Sequence, residues 1–203
     1  WLGLGSLHNF YANFGTEIEH SFIAQQQYGL VWPGIYESQD AQAAKGMWLG
    51  ATNFTDENGT NFPIKVIHSG PRVRAAAFFF PVEFKLVSKV PATDVIVDGN
   101  SSYRLEQTVD EVDPSIPGDR MMYSKFNTAL GITVERKIHQ FSQVYHDNYH
   151  LFEITLTNTG FVNGEDVQRL NAPITGLVFH EQARWSPVLQ TRYTIGNSTG
   201  WGI

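Results

Sequence analysis

The sequence contains no cysteine, and that absence removes whole classes of chemistry. Thiolate catalysis, cysteine-ligated zinc, iron–sulfur clusters and haem attached through C-x-x-C-H all need sulfur that this chain does not carry. Basic residues are also in short supply. Against 20 Asp and Glu stand 14 Lys and Arg, a formal charge of −6, and the cations are scattered rather than clustered. This leaves no electrostatic footprint for a phosphate backbone, which speaks against nucleic acids and anionic membranes as partners. Long hydrophobic runs are missing too, so no segment reads as a membrane-spanning helix. No stretch matches G-x-S-x-G, a P-loop, H-E-x-x-H or a dinucleotide glycine fingerprint. Nothing in the pattern calls for a cofactor, and the reading leans away from an enzyme.

What is present is the composition of an all-β protein. Hydrophobic residues make up 42% and aromatics 13% of the chain, enough to fill a core, and apolar positions recur at period two in short runs. The runs Lys45–Asn53, Pro63–Ser69, Phe80–Lys89, Asp94–Val97, Ile132–Ser142, Tyr149–Asn158, Ile174–His180 and Val188–Ile195 read as strands. Gly131–Phe141 and Asn148–Asn158 predict an antiparallel hairpin, with Ile132, Val134 and Ile138 on one face of the first strand and His150, Phe152, Ile154 and Leu156 on one face of the second. Asp98-Gly99 and Asn58-Gly59 are candidates for type I′ turns, and Thr157-Asn158-Thr159-Gly160 for a strand stop. Helix is minor: a capping box at Thr16-Glu17-Ile18-Glu19 and one turn at Gln39–Ala44. The acidic stretch Glu106–Asp119, with Pro114 and Pro117, predicts a long exposed loop or an inter-sheet connection. The expectation is one antiparallel β-sandwich domain over residues 1–203. The start at Trp1, without Met or leader, suggests a processed chain or a fragment of a longer protein.

Several side-chain groups invite chemistry. His139, His146 and His150 fall near the predicted hairpin tip and could offer imidazoles to a metal ion, although strand geometry keeps His146 and His150 apart. Asp56, Asn58 and Thr60 imitate the front of a calcium loop that lacks its closing bidentate Glu. Glu83, Glu135, Glu153 and Glu181 sit in strand patterns from which paired carboxylates could be built. Aromatics exceed what one small core must hold. Trp32, Trp48, Trp185 and Trp201 are therefore candidates for sugar stacking or protein contact. Phe78-Phe79-Phe80 is too consecutive to be one-sided, and so hints at a second layer or a neighbouring subunit. N-x-S/T sequons at Asn53, Asn58, Asn100 and Asn197 would be glycan acceptors only in a secreted eukaryotic protein.

Five segments together carry a resemblance: Gln27-Tyr28-Gly29-Leu30-Val31-Trp32-Pro33, Gln39 to Gly50 (Gln-Asp-Ala-Gln-Ala-Ala-Lys-Gly-Met-Trp-Leu-Gly), Gly70-Pro71-Arg72, Asp119-Arg120-Met121, and His146-Asp147-Asn148-Tyr149-His150 with Thr157-Asn158-Thr159-Gly160. They resemble a group of secreted bacterial proteins from Bacteroidetes-like and Ignavibacteria-like lineages, whose members have signal peptides and often a type IX sorting domain. That resemblance implies a secreted or cell-surface location and supplies no activity. The run from Gly131 to Gly160 also looks like strand pairs of carbohydrate-active supersandwich proteins. The function expected is a non-catalytic β-sandwich acting as a structural or interaction subunit of an extracellular assembly, with protein partners or self-assembly. The alternative is a carbohydrate-binding or carbohydrate-processing module using Trp and Tyr with His146, His150, Glu153 or Glu181. Metal binding at the histidines is the third reading.

Overall fold

The computed structural model describes residues 1–17, 29–35, 41–70, 77–92, 95–102 and 109–185. Among them there are ten strands and no α-helix: β1 (Gln42–Thr55), β2 (Asn61–His68), β3 (Phe79–Ser88), β4 (Val95–Val97), β5 (Asn100–Ser102), β6 (Glu111–Val112), β7 (Arg120–Thr128), β8 (Ile132–Gln140), β9 (Leu151–Asn158) and β10 (Thr175–Trp185). They form a three-stranded sheet in the order β10-β1-β2, a five-stranded sheet in the order β6-β3-β7-β8-β9, and the separate hairpin β4-β5. The two larger sheets pack face to face as an all-β sandwich. Met47, Leu49, Ala51 and Ile67 of the small sheet meet Phe79, Phe126, Ile132 and Val134 of the large one. Each of the larger side chains taken fully out of water, Ala51 apart, stabilises the fold by about 1.5–3 kcal/mol before entropy is counted.

The small sheet covers only one end of the large sheet. At the other end the N-terminal segment takes its place, and Leu2 and Tyr11 pack with Met122 and Ile138 in a second core. This segment has little regular pairing, so side chains of the sheet satisfy its backbone carbonyls. Arg136, 1% exposed on the inner face of β8, donates to the carbonyls of Ala12 and Gly15 at 3.0 and 3.1 Å and to Ser124 Oγ at 3.3 Å. Gln140 donates to the carbonyls of Leu4 and Leu7. A planar guanidinium suits this task because its fixed fork of donors reaches several acceptors without losing charge.

The expected antiparallel hairpin forms as β8–β9, with Ile132 opposite Asn158 and Ile138 opposite Phe152. Asp98 and Gly99 both take positive φ, as a type I′ turn requires. Other expectations need correction. Arg120–Thr128 was not read as a strand, yet β7 is central to the large sheet; buried on both faces, with Ser124, Asn127 and Thr128 among its fully enclosed residues, it shows no clean alternation. Of the stretch Glu106–Asp119, residues 109–119 are described, and they are not simply an exposed loop. Glu111 and Val112 pair in parallel with Val87 and Ser88, and Ile116 is buried against Val87 and Met121. Gln42 to Ala44 are strand rather than a helical turn, and Glu17 forms an isolated bridge with Tyr11, while Ile18 and Glu19 of the expected capping box lie outside the described residues. At Asn58-Gly59 only the glycine takes positive φ, because the Asp56 carboxylate accepts the N–H groups of Asn58 and Thr60 and closes a longer loop. The strand expected at Val188–Ile195 lies outside the described residues.

Candidate functional site

Alternation along β1 directs Lys45, Met47, Leu49 and Ala51 toward the large sheet, so Lys45 enters the interior where the sandwich gives way to the N-terminal segment. A cleft of about 580 Å³ opens there, lined among others by Tyr11, Glu17, Trp32, Lys45, Tyr149 and Trp185. This volume falls in the ordinary range for small-molecule sites. Its mouth is aromatic: Trp32 is 51%, Tyr149 44% and Trp185 58% exposed. Trp32 Nε1 donates to Asn148 Oδ1 at 2.8 Å, which holds the indole against the β8–β9 connection.

The polar floor is largely self-satisfied. Glu17 is buried, and its Oε2 accepts from Asn9 Nδ2 at 2.7 Å and Gln42 Nε2 at 3.2 Å, while Oε1 lies 2.7 Å from Lys45 Nζ. Glu181 Oε2 approaches the same ammonium at 3.7 Å, and the Phe152 ring lies under it with its centroid 4.2 Å away. Tyr11 hydroxyl and His150 Nδ1 are 2.6 Å apart, and His150 Nε2 is 3.2 Å from the Leu7 carbonyl. A carbonyl can only accept, so Nε2 carries the proton and the tyrosine donates to Nδ1. Burial pushes the His150 imidazole down to about 4, against a smaller upward pull from the Leu7 carbonyl, and it raises the Tyr11 phenol well above its usual range, with Glu17 adding to the rise. Both groups are therefore neutral at ordinary pH.

Of the aromatic candidates, the structure brings Trp32 and Trp185 together at this cleft. Trp48 lies on the opposite, outward face of the small sheet, stacked on His68 with centroids 4.2 Å apart. Phe79 belongs to the core, Phe78 packs against it and is partly buried, and Phe80 is half-buried. Trp201 lies outside the described residues. The histidines do not converge. His139 and His150 occupy opposite faces of the large sheet; His139 faces Glu153 at 3.4 Å, and His146 bonds to the Tyr149 hydroxyl in the turn. Among the described residues no group of three or more His, Asp or Glu could hold a metal ion. Asp56 Oδ1 accepts the backbone N–H groups of Asn58 and Thr60, which closes this turn without an ion. Glu83, Glu135 and Glu153 share the outward face of the large sheet, away from the cleft.

Sequence reasoning missed Glu17, Lys45 and Tyr11. One signal was available: Lys45 falls at an inward-facing position of an alternating strand, where a charge requires a partner. The outward face of the small sheet has its own pattern. Val66, Gly50 and Val178 are aligned across it, with Ile64 beside Thr52 and His68 and His180 flanking Trp48; Ile64, Val66 and Val178 are exposed. Comparison with known proteins gives no match to a family model, a curated protein or a solved structure. No helix among the described residues is long and apolar enough to cross a membrane.

Proposed function

We propose that this chain is a carbohydrate-binding β-sandwich that works by contact at its aromatic cleft, outside the cell or on its surface. One observation carries the reading: Trp32, Tyr149 and Trp185 are all substantially exposed around a single cleft of about 580 Å³. Exposed rings gathered at a concave site offer flat apolar faces with polar edges, the surface on which a sugar ring stacks. The charged groups beneath are paired with one another, which suits holding a ligand better than attacking it. The extracellular location is supported by the resemblance of the motifs around Trp32, Trp48 and His146 to secreted bacterial proteins. A glycan array probed with the full chain, followed by tryptophan-fluorescence titration of the hits, tests the reading. Saturable quenching or enhancement is expected, and a blank array contradicts it.

A second reading, a structural or interaction subunit, has a specific observation in its favour. An antiparallel sheet with one solvated face ordinarily alternates apolar with polar, yet the small sheet presents Ile64, Val66 and Val178 outward. Light scattering of the native protein checks it. Concentration-dependent growth abolished by Val66→Lys supports this reading, and a strict monomer at high concentration removes it.

A further inference from the structure

Aromatic rings combined with carboxylates ordinarily describe a receptor for cations. In this cleft that role is already filled. The Lys45 ammonium lies over the Phe152 ring, 2.7 Å from Glu17 and 3.7 Å from Glu181, so the chain supplies its own cation to its own acidic and aromatic box. An incoming ammonium would meet this fixed positive charge at the only position that both carboxylates address. An incoming carboxylate fares no better. Lys45 is the one Lys or Arg among the described residues lining the cleft, and its charge is matched by a buried anion at contact distance. The chain as a whole carries −6, which repels a polyanion before it arrives.

We infer that the cleft selects an uncharged sugar chain and discriminates against both uronate and amino sugars, with the Glu17–Lys45–Glu181 cluster as the discriminating element. This rests on the glycan-binding reading above. The neutral sugar needs no counter-ion: its apolar face lies on Trp32 or Trp185, and its hydroxyls exchange hydrogen bonds with groups that stay paired whether or not it is bound. A charged sugar would have to separate Lys45 from Glu17 or leave its own charge partly desolvated without a partner.

The test uses matched tetramers in the gluco and galacto series: the neutral sugar, its C6 carboxylate and its C2 ammonium form, titrated calorimetrically into the full chain. The neutral tetramer of at least one series is expected to bind at least tenfold more tightly than both charged counterparts. A uronate or amino tetramer that binds as tightly as the neutral one overturns the inference and leaves glycan binding standing. No binding in either series overturns the glycan reading and the inference with it. Lys45→Met supplies the converse: with Glu17 and Glu181 released, affinity for the amino tetramer should rise at least tenfold, and an unchanged preference contradicts the assigned role. Glu17→Gln with Lys45→Met removes both charges of the buried pair, so it keeps the test open even if the single variant folds poorly; Glu181 then stands without its cation, the amino tetramer should gain on the uronate, and an unchanged preference would also contradict the assigned role.

Discussion

Lys45 Nζ and Glu17 Oε1 lie 2.7 Å apart, joining strand β1 of the small sheet to the N-terminal segment. Glu17 has only 3% of its side-chain surface exposed, so removal of its partner leaves a carboxylate in a poorly solvated place. Lys45→Met should therefore destabilise the fold by about 3 kcal/mol, the usual result of breaking a buried ion pair from one side. Glu17→Gln combined with Lys45→Met should cost less than the single change. Urea denaturation of Lys45→Met, Glu17→Gln and the double variant measures the coupling, and simple additivity would show that the pair is not coupled.

Arg136 holds the N-terminal segment through two backbone carbonyls and Ser124. Arg136→Met leaves the carbonyls of Ala12 and Gly15 without this donor, a loss of about 2–4 kcal/mol. Limited proteolysis should then cut first within residues 1–17, ahead of the sheets. Uniform loss of protection across the sandwich would contradict the view of Arg136 as a local clamp.

Acid should weaken the protein through His150. Its folded-state value of about 4 lies below the ordinary 6.5, so on acidification the unfolded chain takes up the proton first. The contribution is complete above about pH 6.5, declines as pH falls, and levels off near pH 4 after a loss of up to about 3 kcal/mol. His139, also lowered by burial, acts in the same direction. Urea midpoints between pH 7.5 and 4 should fall steadily in the native chain and less steeply in His150→Gln. Equal slopes would contradict the assignment.

Gly160 closes the β8–β9 region with φ of +71°, and a Cβ there would collide with the Leu170 carbonyl oxygen. Gly160→Ala should cost more than about 2 kcal/mol, since both the backbone conformation and the space exclude a side chain. Gly59 shares the positive φ but has nothing near its missing Cβ. Gly59→Ala should be the milder change by thermal melt, about 1 kcal/mol.

Legibility in the sequence followed physical simplicity. Strands with one wet face, such as the segments around Ile154 and Met47, announced themselves by alternation, and Asp98-Gly99 by turn chemistry. Strand β7 did not, because Ser124, Asn127 and Thr128 are buried polar residues whose partners come from distant parts of the chain. The exposed Trp32 and Trp185 were legible as candidates, but nothing local to either said that they share a cleft. Lys45 and Arg136 were the missed clues. Each is a lone charge at an inward position of a regular strand, and each proves to hold the N-terminal segment in place. The histidines misled through proximity in sequence, since one residue of odd spacing along a hairpin sends side chains to opposite faces.

The most direct test of the account compares glycan affinity in Trp32→Ala, Trp185→Ala and Trp48→Ala by calorimetry against the best neutral ligand from the array. The two cleft variants should each lose at least tenfold, about 1.4 kcal/mol, while Trp48→Ala, on the far face of the small sheet, binds as the native chain does. Undiminished binding in both cleft variants, or a loss confined to Trp48→Ala, would contradict the cleft as the site of recognition.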